Sequence, residues 1–421
     1  MYRKRRRHRS ALTVTLVAAT AVLAAACGSD ATSTTTAASA TTSTGTAGAV
    51  ITTTTASSSA TSGAGSTPST GAETPGMLAG VCPSTIVVQY DWWPESEHAA
   101  FYELTGPGGT ADNDKKRYTA PLYTPDGVDT GVKVELRAGG PAIGYEQATA
   151  QLYSDPNVII ANVAADQAIQ NSKEFPTTAI VAPLRRSPQI IMWDPASHPD
   201  FTSIADIGKT DTRVLYFGGA AYMSYLTGAG ILKESQVDGS YDGTPASFVS
   251  SGGSIAQQGY ATAEPFQYEH EYTQWGKPVK YQLIADTGYN PFPALAVKPE
   301  SVTKYADCFR QLVPMLQQAQ VDYLADPERV NTLITDLVTS YDGAPYSKAV
   351  ADFAAKVQLT DGIVANGPDG ALGSFDMDEL TDLIGKAGPI FSAQGVDPAD
   401  GLTAQDIATN EFIDPDVKLP G

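Results

Sequence analysis

The fold is decided by the stretch at residues 84–104, which reads STIVVQYDWWPESEHAAFYEL. Its β-branched start predicts a strand over 84–92 that ends at Trp92-Trp93-Pro94. Similar runs alternate with helix-like segments further along the chain, and strands spaced by helices predict an α/β fold with mainly parallel sheets. The further predicted strands are 132–140, 157–164, 179–184, 189–194 and 213–219, and the clearest intervening helices are 144–155 and 220–232.

The C-terminal third has a different pattern. Residues 301–390 carry apolar side chains at spacings of three and four, which predicts mostly helix. No internal repeat and no second linker interrupts the body of the chain. The sequence therefore favours two lobes built from one continuous body.

Composition excludes two classes of protein. The chain has 421 residues, with 27 Lys and Arg against 46 Asp and Glu and a formal net charge of −19. Nucleic acid is excluded as the main partner, because binding to it relies on Lys and Arg to neutralise phosphates. The three cysteines form no C-x-x-C pair, which excludes a zinc ribbon and a thioredoxin-like redox site.

The N-terminus has the pattern of an export signal. Six basic residues precede the apolar run Ala11–Ala26, which is shorter than the ~20 residues of a membrane-spanning helix. Cys27 directly follows LAAA, which resembles a bacterial lipobox, although Leu23 stands four positions before the cysteine rather than three. We expect residues 1–27 to be a lipoprotein signal peptide and Cys27 to be lipidated. The alternative is an ordinary cleaved signal with a chance cysteine.

A low-complexity segment follows the signal. Residues 28–77 are rich in Ser, Thr, Ala and Gly and hold no aromatic residue, so they predict a disordered tether. The body after it contains two cysteines, Cys82 and Cys308. In an exported protein such a pair favours a disulfide, and the alternative is two buried free thiols.

Five segments in a fixed order carry a family resemblance. They are QYDWWPESEHAAFYEL (89–104), RAGGPAIGYEQA (137–148), TAIVAPLRRSPQIIMWDP (178–195), SIADIGKTDTRVLYFGG (203–219) and AQQGYATAEPFQYE (256–269). In this order they resemble the substrate-binding proteins of ABC importers. Among these the chain looks like the type II periplasmic-binding family, whose members include binders of thiamine-pyrimidine precursors, nitrate and sulfonates.

The resemblance covers residues 84–395 and implies a two-lobed type II periplasmic-binding-protein fold, in which a two-strand hinge joins two α/β lobes around a ligand cleft. Lobe I would comprise residues 80–185 and 290–421, and lobe II residues 186–289. The chain would cross between the lobes near 182–191 and 281–293. The stretch Gly106–Asp129, rich in Gly, Pro and Asp, is longer than the family's usual loop and would either reshape the mouth of the cleft or form a surface loop.

The implied function is extracytoplasmic capture of a small molecule by hinge closure. The partners would be an ABC permease and its ATPase, with membrane contact through the lipid anchor alone. We expect a monomer without cofactor or metal.

Aromatic and glycine residues at strand ends are the first site candidates, because ligands of open α/β sheets lie beyond the carboxyl ends of the strands. Alternation along the strand places Trp92 and Trp93 on opposite faces, so we expect only one indole to contact the ligand. The alternative is that both are packing residues of the core or rim. Gly139-Gly140 and Gly218-Gly219 would offer backbone N–H groups to an anion or carbonyl, or would simply form tight turns.

Acidic residues supply further candidates. A carboxylate at Glu264 would accept hydrogen bonds from ring N–H or amino groups, although an acidic helix start is equally typical of solvent-exposed structure. The complete predicted ligand-binding set is Trp92, Trp93, Glu95, Gly139, Gly140, Asp166, Gln167, Ser187, Gly218, Gly219, Tyr222, Tyr241, Asp242, Glu264 and Tyr289.

The charge of the ligand depends on two arginines. If Arg185 or Arg186 points inward, the ligand is an anion such as a sulfonate, carboxylate or nitrate. We expect both to point outward, since arginines at a surface crossover are usually solvated. Acidic and aromatic candidates outnumber basic ones, which favours a neutral or cationic heteroaromatic ligand such as a pyrimidine or vitamin-precursor ring.

Two other classes remain as alternatives, a purely adhesive or wall-binding lipoprotein and an enzyme. A hydrolase would use a pair of carboxylates from Glu95, Asp166 and Glu264 in the cleft. The sequence has no H-E-x-x-H motif and no G-x-S-x-G motif, so metal-assisted and serine hydrolysis lack support. We therefore predict no catalytic residue.

Overall fold

The computed structural model describes residues 77–420. The predicted signal peptide, Cys27 and all but the last residue of the predicted tether lie outside this range. Twelve strands lie within it: β1 Thr85–Gln89, β2 Thr110–Asp112, β3 Arg117–Tyr123, β4 Asp129–Arg137, β5 Val158–Ala164, β6 Thr178–Val181, β7 Gln189–Trp193, β8 Val214–Leu215, β9 Val237–Asp238, β10 Ala256–Tyr260, β11 Lys280–Leu283 and β12 Pro293–Val297.

Helices follow most strands and fill the C-terminal third. In the described range they are α1 Ala99–Glu103, α2 Ala148–Ser154, α3 Ala165–Gln170, α4 Ile204–Gly208, α5 Ala221–Gly228, α6 Ala246–Ser250, α7 Glu264–Phe266, α8 Pro299–Lys304, α9 Ala306–Ala325, α10 Glu328–Ser340, α11 Lys348–Thr360, α12 Met377–Ala393 and α13 Ala404–Ile407. A short 3-10 turn, Ser96–His98, precedes α1. None of the helices in residues 77–420 is both long and apolar enough to cross a membrane.

The strands form two sheets, and each sheet belongs to one lobe. The sheet of lobe I has the order β2-β3-β4-β1-β5-β12-β6, and that of lobe II has the order β11-β7-β10-β8-β9. The chain leaves the first sheet between Val181 and Gln189 and returns to it between Leu283 and Pro293. This double crossing confirms the two-lobed α/β fold expected from the sequence.

The sheets are mixed, whereas the sequence pattern predicts mainly parallel ones. β1 pairs in parallel with β4 and β5, but β12 runs antiparallel to both β5 and β6. The reason is topological: β12 enters lobe I from lobe II through the second crossover. It does not follow a helix that would return it in the parallel direction.

Residues 106–129 also differ from the expected loop. Ten of its 24 residues form β2 and β3, which extend the sheet of lobe I: β3 runs antiparallel to both β2 and β4. Every second residue of β3 is buried, namely Tyr118, Ala120 and Leu122, as expected for a half-buried strand. The surrounding glycines and prolines favoured a loop, so the short alternating pattern of β3 was not recognised in the sequence.

A disulfide joins the start of the body to the C-terminal helices. Cys82, just before β1, is bonded to Cys308 in α9, and both residues lie in the core of lobe I. The bond links positions 226 residues apart. It therefore ties the first strand to a late helix of the same lobe.

Candidate functional site

A cavity of about 290 Å³ lies between the two lobes. Lobe I contributes the ends of β1 and β5, the turn before α1 and the start of α3, and lobe II contributes the start of α5 and the end of β10. Both crossovers also reach it, through Ser187 and Pro291. The cavity therefore lies beside the strand ends and the two crossovers between the sheets, which is the usual position of a binding site in open α/β folds.

Asp91 follows β1 and is held by two side chains. Its Oδ1 accepts a hydrogen bond of 2.7 Å from Nδ2 of Asn162 and lies 3.1 Å from Nε2 of His98. Burial raises the pKa of Asp91, but these hydrogen bonds and the charge of His98 bring that pKa below its usual value. Asp91 is therefore a fixed anion with 43% of its side chain still exposed in the cleft.

His98 is enclosed more tightly than its partner. Only 2% of its side chain is exposed, and its ring stacks on Tyr90 with 4.0 Å between the centroids. The hydroxyl of Tyr90 in turn donates to the backbone oxygen of His98. Nδ1 of His98 is buried and has no hydrogen-bond partner within residues 77–420.

Three glutamates complete a group that we call the acidic cluster: Asp91, Glu95, Glu97 and Glu264. Burial, followed by the charges of Glu97, Asp91 and Glu264, raises the pKa of Glu95 well above its ordinary value. Burial also raises the pKa of Glu97, and it raises that of Glu264 to about 7, with a contribution from the charge of Glu97. The members of the cluster thus oppose one another's ionisation.

Asp166 stands apart from this cluster, in the first turn of α3. Burial raises the pKa of Asp166 to about 6. The hydroxyl of Tyr289 donates a hydrogen bond of 3.2 Å to its Oδ2, which lowers that pKa and partly offsets the effect of burial. Gln167 and Gln170 lie beside it in the lining. Asp166 is therefore a second acidic position in the same cavity.

Lobe II supplies an aromatic wall. Tyr222 uses its hydroxyl to donate to Oε1 of Gln258 at 2.7 Å, so its polar end is already bonded. Tyr260, the last residue of β10, is 43% exposed, and its backbone N–H donates to Oε2 of Glu264. Tyr260 is the aromatic side chain with most free surface in the lining.

The two arginines of the first crossover do not line the cavity. Arg185 forms ion pairs with Glu379 at 2.5 Å and Asp376 at 3.6 Å, and Arg186 pairs with Asp286. Of the described residues that line the cavity, none is Lys or Arg. The lining consequently carries several carboxyl groups and a single histidine.

The structure brings six of the fifteen predicted ligand-binding residues to the cavity. These are Glu95, Asp166, Gln167, Ser187, Gly219 and Tyr222. The other nine lie outside its lining, although Glu264 and Tyr289 are hydrogen-bonded to residues within it. They are Trp92, Trp93, Gly139, Gly140, Gly218, Tyr241, Asp242, Glu264 and Tyr289.

Local packing explains the places of the two tryptophans. Trp93 is 8% exposed in the core of lobe I, so close to Gly343 that a Cβ there would lie 3.2 Å from its ring. Trp92 packs over Gly140, where a Cβ would approach the ring to 2.5 Å. Since β1 ends at Gln89, strand alternation does not govern either indole.

The predicted N–H donors at the glycine turns are mostly in use. The N–H of Gly139 donates to the carbonyl of Trp92, and that of Gly140 to the carbonyl of Asp91. Gly218 donates in the same way to Gly239, whereas Gly219 lies in the cavity lining. The first pair therefore holds the Asp91 turn in place and presents no free donor to a ligand.

Tyr241 and Asp242 lie away from the cavity for different reasons. Tyr241 is buried and packs against Phe217, with 4.8 Å between the ring centroids. Asp242 is exposed and caps its own turn by accepting hydrogen bonds from the backbone and hydroxyl of Thr244.

Sequence reasoning missed several lining residues, chiefly Asp91, Glu97, His98, Asn162 and Tyr260. Two of them carried a usable signal. Asn162 is a polar residue inside the otherwise apolar β5, and Tyr260 ends β10 at the carboxyl edge of its sheet. Buried polar residues in such a strand need partners, which here are Asp91 and His98.

No metal site is evident in the part of the chain that the structure describes. No group of three or more His, Cys, Asp or Glu residues in residues 77–420 is arranged to hold a metal ion.

Comparison with known proteins gives similarity of fold. No protein-family model matches the chain, and no curated protein matches it in sequence. Among solved structures it is similar to the periplasmic aliphatic sulphonate-binding protein SsuA of Escherichia coli, at 13% identity, over 81% of this chain and 95% of that one, with a TM-score of 0.49.

Two further solved structures are similar at about the same level. The alkanesulfonate-binding protein SsuA of Xanthomonas axonopodis pv. citri, bound to MOPS, is 11% identical over 78% of this chain and 99% of that one, with a TM-score of 0.44. The periplasmic nitrate-binding protein NrtA of Synechocystis PCC 6803 is 11% identical over 78% and 87%, also with a TM-score of 0.44. All three are binding proteins by their names, and their similarity to this chain is one of fold alone.

Proposed function

We propose that this protein is the solute-binding component of an importer and that it captures a small organic cation between its lobes. The observation that carries the proposal is the cavity itself, which has carboxyl groups from Asp91, Glu95, Glu97 and Asp166 and, in its described lining, neither Lys nor Arg. Transfer of a cation from water into such a site is favourable only where anions replace its hydration.

The carboxyl groups are suited to a ligand that arrives with positive charge. His98 and Asn162 lower the pKa of Asp91, whereas the pKa values of Glu95 and Glu264 are raised, so these two groups hold protons at a higher pH than ordinary carboxyl groups do. A bound cation favours the ionised forms and releases those protons. Cation binding and deprotonation would therefore be coupled.

Tyr260 supports a flat or alkylated cation. The residue is 43% exposed and lies in the lining, and its backbone N–H donates to Glu264 of the acidic cluster. The face of an aromatic ring attracts a cation and stacks on a planar ring. The heteroaromatic ligand suggested by the sequence remains one member of this class.

Binding is proposed to work by closure of the lobes. Asp91 and Asp166 belong to lobe I, whereas Tyr260 and Tyr222 belong to lobe II. A ligand that contacts both groups has a higher affinity for the closed form than for the open one, and this difference drives closure. No bond is broken in this scheme, so turnover is not expected.

The anionic alternative has less support from this site. The solved structures similar to this chain include sulphonate-binding and nitrate-binding proteins, as their names state. Here the two crossover arginines are paired with Glu379, Asp376 and Asp286, and the cavity is acidic. An anion would bind beside carboxyl groups, with neither Lys nor Arg in the described lining.

Location outside the cytoplasm rests on the N-terminal pattern. The signal peptide, the lipidated Cys27 and the tether remain predictions from the sequence, as do the permease and ATPase partners and the monomeric state. Labelling with a fatty-acid analogue in the native host, compared with a Cys27→Ala variant, tests the anchor.

A thermal-shift screen tests the ligand class. Small amines and amidines form one set of probes, and alkanesulfonates and nitrate form the other. A ligand at a hundred times its dissociation constant stabilises the protein by about 2.7 kcal/mol. We expect a shift with at least one cation and loss of that shift in Asp91→Asn, but not in Asp211→Asn, whose side chain is fully exposed. A shift with anions alone contradicts the proposal.

A further inference from the structure

The negative charge of the cavity is divided between two positions. One is the acidic cluster around Asp91, and the other is Asp166. The two aspartates share no hydrogen-bond partner: Asp91 is bonded to Asn162 and His98, and Asp166 to Tyr289. Each carboxylate is thus fixed by its own local structure.

Strand β5 limits how far apart the two acidic positions can lie. Asn162, which donates to Asp91, lies in this strand, and Asp166 is four residues further on, in the first turn of α3. Four residues span at most about 13 Å of chain, since each contributes about 3.3 Å when extended. The two acidic positions line the same cavity and therefore lie within reach of one small linear molecule.

Electrostatics agrees with this separation. The members of the acidic cluster raise one another's pKa values, whereas burial alone raises the pKa of Asp166 and no other carboxylate contributes. The cluster and Asp166 are therefore electrically distinct. Along the described lining between them, the side chains other than His98 are neutral, including Ala164 and Ala220.

Two buried atoms point to a missing partner at the cluster. Nδ1 of His98 and Oε2 of Glu97 are buried and lack hydrogen-bond partners within residues 77–420, and both residues line the cavity. His98 as a whole is only 4% exposed. Buried polar atoms without partners are costly, and an N–H donor on a ligand would satisfy Oε2 of Glu97.

We infer that the ligand is a dication, with one basic nitrogen bound at the acidic cluster, a second at Asp166, and an apolar or planar spacer along Tyr260. This inference rests on the proposed function and specifies its ligand class. A single cation would satisfy one acidic position and leave the other carboxyl without a counter-charge.

Isothermal titration with a matched series tests the inference. The probes are α,ω-diaminoalkanes of three to eight carbons and the corresponding monoamines, titrated into the full-length protein. We expect one diamine length to bind at least tenfold more tightly than the monoamine of equal length. Monoamines that bind as tightly as every diamine overturn the inference but leave the proposed function intact.

A variant at Asp166 separates the two positions. Asp166→Asn keeps an acceptor for Tyr289 but removes the charge. We expect it to lower diamine affinity at least tenfold and to leave monoamine affinity within about twofold. An equal loss for both probes contradicts the inference, and Asp211→Asn serves as the control for a lost surface charge.

Two further outcomes are distinguishable. If no amine of either series binds but an alkanesulfonate does, the proposed function fails together with the inference. Calcium, magnesium and zinc ions are titrated alone, because two acidic positions can also attract a metal. If a metal ion binds, no amine binds, and Asp166→Asn abolishes the metal binding, the inference of a dicationic ligand is overturned.

Discussion

The hydroxyl of Thr262 donates a hydrogen bond to Oε1 of Glu97 and so joins the two lobes beside the cavity. Thr262 follows β10 of lobe II, and Glu97 lies in the turn before α1 of lobe I. The bond is present only when the lobes are close together. It therefore couples the closed arrangement to a member of the acidic cluster.

Removal of this bond should weaken ligand binding. In Thr262→Val the closed form loses one hydrogen bond to a carboxylate, worth about 1.5–3 kcal/mol, and affinity should fall by roughly tenfold to a hundredfold. The control is Thr202→Val, which removes a hydroxyl–carboxylate bond to Asp206 on the exposed surface of lobe II. Calorimetry should show an effect only for Thr262→Val, and equal affinities for both variants would contradict the coupling.

The aromatic wall should contribute to affinity without supporting the fold. Tyr260→Ala removes a ring that is already 43% exposed, so melting should change little, while cation binding should weaken by about 1–2 kcal/mol. Tyr145→Ala, at a tyrosine that is 71% exposed outside the lining, is the matched control. If the two variants bind equally well, Tyr260 does not contact the ligand.

The sequence predicted the backbone better than the site. Strand β7 begins at Gln189, as predicted, because the β-branched run there is bounded by a proline and a turn. The tryptophans after β1 were harder to place, since their orientation depends on Gly140 and Gly343, which are distant in sequence. Asp91 owes its role to Asn162 and His98, and no local pattern shows that these three residues meet.

Cation affinity should rise with pH. Asp166 and Glu264 have pKa values of about 6 and about 7 in the ligand-free protein, so protons compete with the ligand at low pH. Affinity should increase between pH 5 and pH 8, and titrations in buffers of different ionisation enthalpy should reveal proton release. If affinity does not change between pH 5 and pH 8, these acidic groups do not take part in binding.

The same groups should affect stability in the opposite direction. Their folded pKa values lie above the unfolded values of about 4, so the folded state binds protons more tightly than the unfolded chain. Their contribution to the free energy of unfolding is full below pH 4 and is lost as pH rises through 6 and 7. Asp166→Asn should reduce this loss in denaturant titrations of the ligand-free protein, and an unchanged slope against pH would contradict the assignment.

The disulfide should stabilise lobe I without shaping the cavity. The bond between Cys82 and Cys308 closes a long loop, and its removal should cost about 2–5 kcal/mol of unfolding free energy. The double variant Cys82→Ser with Cys308→Ser should melt at a lower temperature, while its ligand affinity below that temperature stays unchanged. Equal melting temperatures with and without reductant would show that the bond does not contribute.

A crystal structure of the protein with its tightest-binding amine tests the central claim most directly. The account predicts that the ligand lies between the lobes, with a basic nitrogen within hydrogen-bonding distance of the Asp91 carboxylate and its body against Tyr260. An amine bound outside this cavity, or an anion bound within it in place of the amine, would contradict the account.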